Sequence, residues 1–76
     1  MPGRRLRVSG KDVLAALLRN GWVIVNVEGS HHSLRHPSRG RKVTIPVHGT
    51  KILQPKSLAS ILNQADLTED ELREML

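Results

Sequence analysis

Residues 22–47 read WVIVNVEGSHHSLRHPSRGRKVTIPV, and this stretch decides the fold. β-branched residues dominate Trp22–Glu28, where Val23, Val25 and Val27 share one side of a pleated strand. Gly29-Ser30 interrupts that run, His31–His36 makes a second strand, and Pro37-Ser38-Arg39-Gly40 has the composition of a tight turn. In a third strand, Arg41–Val47, the residues Val43, Ile45 and Val47 alternate with Lys42, Thr44 and Pro46. A proline has no N–H for a ladder, so Pro46 puts this strand at an edge or ends it. Connections this short predict three antiparallel strands.

Helices flank the strands. Upstream, Ser9 and Asp12 have the spacing of a capping box, and Val13, Leu14, Leu17 and Leu18 recur along one helical face. That helix should run from about Gly10 to Asn20, with Gly21 as the stop. Downstream of a loop over His48–Gln54, Pro55 suits a first helical position, and Leu58, Ile61, Leu62 and Ala65 form a second apolar stripe ending near Asp66. Thr68 and Glu71 repeat the capping box ahead of a short acidic helix reaching Leu76, with Leu72 and Met75 facing inward. The expectation is a single α+β domain over residues 1–76, αβββα, with a three-stranded antiparallel sheet and two helices on one face. A basic segment at residues 1–8 precedes it, and the acidic helix occupies 68–76.

Seventy-six residues remove only about 60% of the surface of the unfolded chain from water, which argues against a deep cleft with a buried cofactor. There is no cysteine, hence no disulfide framework or thiolate site. No stretch approaches a membrane span, and Met1–Gly10 lacks the apolar core of a signal peptide, so a soluble, unexported, cytoplasmic protein is expected. The formal charge of +5 is uneven. Residues 1–65 hold eleven of the twelve Lys and Arg against Asp12 and Glu28, a balance of +9, while the remainder, with five carboxylates against Arg73, stands at −4. The basic part suits a polyanion, although the same charge also serves a small domain that only has to stay soluble.

Side-chain parity sorts the second strand. If Leu34 packs inward, so do His32 and His36, which then have hydrogen-bonded or edge-of-core roles. His31, Ser33 and Arg35 fall on the opposite face with Lys42 and Thr44 of the third strand and Asn26 and Trp22 of the first. Two helices cover only the Val23/Val25/Val27, Leu34 and Val43/Ile45/Val47 side, leaving this polar, basic face open.

The succession Ser9-Gly10-Lys11, Gly21-Trp22-Val23, Gly29-Ser30-His31-His32, Ile45-Pro46-Val47-His48, and Leu53-Gln54-Pro55 leading to Ser60-Ile61-Leu62 resembles the HicA toxins over nearly the whole chain. The resemblance implies a double-stranded-RNA-binding-like fold, ribosome-independent cleavage of messenger RNA, and neutralisation by a HicB antitoxin in a hetero-oligomer. It places the catalytic histidine in the Gly-Ser-His motif, at His31. The Arg-rich start and the acidic end are outside the shared pattern.

The chemistry can be argued from the residues alone. RNA supplies its own nucleophile, and cleavage needs proton transfer from a 2′-hydroxyl plus stabilisation of a negatively charged phosphorane. One imidazole can take and return a proton near neutral pH, a role worth about 10²–10⁴ in rate. Arg35, Lys42 and Lys51 are the candidates for stabilising the charge, and Lys11, Gly29, Ser30 and Ser33 complete the expected RNA contacts. Gly29 equally suits a plain turn. His48 can serve as a second acid or base, or merely cap its loop. No metal or cofactor is expected, because a strand puts His32 and His36 roughly 13 Å apart and turns His31 and His32 to opposite faces. The competing classes are a non-catalytic module that reads duplex RNA by shape, and a protein-interaction module.

Overall fold

The computed structural model describes residues 6–76. The elements are α1 (Gly10–Arg19), β1 (Val23–Glu28), β2 (His31–His36), β3 (Arg39–Pro46), α2 (Pro55–Ala65) and α3 (Glu69–Met75), with the strands in the antiparallel order β1-β2-β3. The chain therefore has the expected αβββα plan with a third short helix. Residues 1–5 of the basic segment lie outside the described residues.

Local sequence starts each helix. Ser9 Oγ accepts the Asp12 N–H at 3.1 Å while the Asp12 carboxylate accepts the Ser9 N–H at 3.4 Å, and Thr68 and Glu71 repeat the exchange at 3.1 and 2.8 Å. Each such cap is worth about 1 kcal/mol. Pro55 opens α2, and Asp66 closes it in the left-handed conformation, φ 58°. The Arg39 guanidinium donates to the Ala65 and Asp66 carbonyls at 3.0 and 3.2 Å, satisfying acceptors that the helix end leaves open.

The core gathers Leu34, Val43 and Ile45 of the sheet with Val13, Ala16 and Leu17 of α1, Leu58, Ile61 and Ala65 of α2, and Leu72 of α3. Leu14, Leu62 and Met75 pack around it half-buried, whereas Leu18 stays exposed and Ala16 takes the place expected for it.

Two expectations about β1 are corrected. Val23, Val25 and Val27 do not enter the core but keep 55%, 49% and 51% of their surface. β1 is the outer strand, and the helices pack over β3 instead. In addition, the register slips between Ile24 and Asn26, so Val23 lies opposite Arg35 and Val27 opposite His32, which puts them on different faces. Trp22, placed by parity on the open face, is buried with its ring edge-on to His36, centroids 5.4 Å apart. It precedes the strand, where alternation does not apply.

The turns are tight. Gly29-Ser30 joins β1 to β2 with one positive φ, 57° at Gly29, the pattern of a two-residue type II′ turn. The second turn is Pro37-Ser38 alone rather than Pro37–Gly40, because β3 begins at Arg39 and a register shift absorbs the difference. The His36 ring accepts the Ser38 N–H at 3.0 Å, and the His32 ring donates to the Ser30 carbonyl at 3.4 Å. Both histidines are half-buried, as parity predicts.

Candidate active site

His31 is the first residue of β2, directly opposite Glu28 on β1 and Pro46 on β3. Paired residues of an antiparallel sheet share a face, so Glu28, His31 and Pro46 form one row at the end of the sheet, and Asn26, Ser33 and Thr44 form the next. The His31 side chain is exposed and opens on a hollow of about 370 Å³. Its far wall is α2, through Lys56, Ser57, Ser60 and Gln64.

Gln64 fixes the spacing of that wall. Its side-chain oxygen accepts the Thr44 N–H at 2.9 Å, and its amide nitrogen donates to Ser60 Oγ at 3.2 Å. The outer edge of β3 is thereby tied to the polar side of α2, with the hollow between them.

A second, smaller hollow of about 150 Å³ adjoins the first and shares Pro46 and Ser57 with it. His48 and Lys51 line it. The Val47 N–H donates to the Ser30 carbonyl at 2.7 Å, extending the β2–β3 ladder past the strand, and His48 Nε2 lies 3.3 Å from Ser30 Oγ. The loop then folds back, with the Lys51 N–H donating to the His48 carbonyl at 3.0 Å.

The first turn of α2 faces both hollows. Gln54 gives no side-chain cap there and Pro55 has no N–H, so the Lys56 and Ser57 amides begin the helix without intrahelical partners, where the dipole favours an anion. Together these groups can hold a phosphate beside an imidazole.

The expected site residues divide accordingly. His31 and Lys51 are in the connected hollows, and Ser30 and Gly29 build the turn that carries His31. Ser33, expected as an RNA contact, is only 6% exposed and shares a 3.4 Å hydrogen bond with Thr44. Lys11, Arg35 and Lys42 are exposed but line neither hollow. Sequence reasoning missed Lys56, Ser60 and Gln64, whose i, i+4, i+8 spacing was available as the polar counterpart of the Leu58/Ile61/Ala65 stripe. A larger hollow of about 590 Å³, bounded mainly by Leu6, Ile52, Leu53, Pro55, Leu58 and Leu62, is largely apolar, and the Glu69 carboxylate that also lines it pairs with Arg73 at 3.1 Å.

A small α+β chain with an exposed histidine facing a cationic helix start is the class of protein that the fold and site define. The family described as the HicA toxin of bacterial toxin-antitoxin matches residues 10–67, which include every residue of both hollows, and the chain belongs to that family. It is accordingly a toxin of a toxin-antitoxin system, a type of protein that pairs with an antitoxin. No curated protein matches the chain.

Proposed function

We propose that this toxin is a metal-independent endoribonuclease that cleaves messenger RNA without the ribosome, with His31 as its catalytic residue, and that a HicB-like antitoxin neutralises it in the cytoplasm. The observation that carries this is the exposed imidazole of His31 opening on a hollow whose other wall is Lys56 and the uncapped start of α2. A scissile phosphate seated there would meet the ammonium group and the two helix amides, which stabilise charge as it grows on the phosphorane. His31 takes the proton of the 2′-hydroxyl, O2′ bonds to phosphorus, and the products are a 2′,3′-cyclic phosphate and a 5′-hydroxyl. The open polar face beyond, with Lys42 and Arg35 exposed on it, suits an antitoxin that competes with RNA for the same ground.

Because His31 is exposed, His31→Ala should leave the unfolding midpoint within about 0.5 kcal/mol of wild type and RNA affinity within a few-fold. Cleavage of an RNA transcript in EDTA should fall by at least about 10². A variant that still cuts at the wild-type rate refutes the assignment of His31, whereas a wild-type protein that binds the transcript without cutting it is an RNA-binding module.

A further inference from the structure

We propose that His48 is the general acid of this reaction, held in place by Ser30; the inference rests on the ribonuclease function proposed above. In an in-line displacement the attacking O2′ and the departing O5′ occupy opposite sides of phosphorus. An imidazole placed to take the 2′ proton therefore stands on the wrong side to protonate O5′, and an alkoxide leaves poorly without a proton. A second proton donor across the phosphate resolves this.

His48 is the histidine available for that role. His31 lies opposite Pro46, and His48 follows two residues later on the same chain, roughly 7 Å further along an extended backbone. The hollows of the two rings meet at Pro46 and Ser57, so both open on one groove, on either side of the place where Lys56 and the start of α2 would hold the phosphate. His48 is tied to the hairpin end that carries His31. Ser30 accepts the Val47 N–H through its carbonyl and bonds His48 Nε2 through its hydroxyl. Protonated His48 donates Nε2–H to Ser30 Oγ and keeps Nδ1–H for the substrate. Among the described residues, the charged and titratable groups around it are Lys51 of its own loop, Lys56 of α2, His31 opposite Glu28 at the hairpin end, and His32, whose ring bonds the Ser30 carbonyl.

The protons balance. The 2′-hydroxyl proton passes to His31 as the O2′–P bond forms; the P–O5′ bond breaks as His48 gives its proton to O5′. Exchange with water then returns both rings to their starting states.

A plain loop-capping histidine would also make the Ser30 bond, so the test must read proton donation itself. Two oligoribonucleotides are compared, one natural and one with sulfur replacing O5′ at the cleaved linkage, because a thiolate leaves without being protonated. His48→Gln should slow cleavage of the natural linkage by about 10² or more and of the sulfur linkage by less than tenfold. In the pH–rate profile on the natural linkage, wild type should lose activity at high pH as the acid loses its proton, and His48→Gln should lack that fall. His31→Ala should be impaired on both substrates. Equal losses on the two linkages, or no loss on either, overturn the role of His48 while leaving His31 intact. A wild-type protein that cuts neither substrate, with an authentic ribonuclease as positive control, overturns the ribonuclease function and this inference with it.

Discussion

Gly10 shows how little freedom the site's surroundings have. A Cβ at this first residue of α1 would overlap the Pro46 carbonyl oxygen, which is backbone and cannot move cheaply. Alanine gains at most about 1 kcal/mol in helix propensity, while forced overpacking costs about 1–3 kcal/mol, so the overlap wins. Gly10→Ala should lower the urea midpoint and reduce cleavage together, since Pro46 lies between His31 and His48; an unchanged midpoint would mean that α1 shifts freely. At this scale the exposure of His31 was legible in the sequence, because strand parity turns it away from Leu34. The sequence did not carry Ser33, whose alternation was read correctly but whose burial depends on the hydroxyl of Thr44 on the next strand. Lys56 escaped for a different reason, since only the packing of α2 beside β3 brings residues 31 and 56 into one hollow.

Among the elements, helix boundaries were the most legible, because both capping boxes, Pro55 and the stop after Asn20 act through neighbours in sequence. β1 was the least. Its composition names a strand, but nothing local says that the helices stop short of it or that its register slips at Val25. The result is an unprotected outer strand with exposed Val23, Ile24, Val25 and Val27, a template for pairing with another chain, while the opposite edge is stopped by Gln64. Val25→Lys should fold with a stability within about 0.5 kcal/mol of wild type, since the side chain is half out of the protein. It should also suppress concentration-dependent association, as read by light scattering over a protein dilution series. Association unchanged by the lysine would show that β1 is not the surface involved.

For the whole molecule, the decisive quantity is where the charge acts. If RNA is gripped chiefly in the groove, by Lys51, Lys56 and one further cation, about three phosphates are neutralised and the affinity of His31→Ala for a single-stranded oligonucleotide should fall with log salt at a slope of roughly −2. A slope steeper than about −5 would mean that the entire basic body holds the strand. The acidic α3 stays net negative, because its single Arg73 pairs with Glu69 and Asp70 at 3.1 and 3.0 Å while Glu71 and Glu74 add further charge; its Leu72 is buried in the core. Trp22 makes such experiments tractable. It is the chain's single indole, 4% exposed and set against His36 rather than among the groove residues. Its emission consequently reports tertiary order from one fixed vantage point, without a dye or an engineered fluorophore. A variant that still binds RNA but no longer cuts it, and keeps a blue, protected spectrum, has lost chemistry and not its fold.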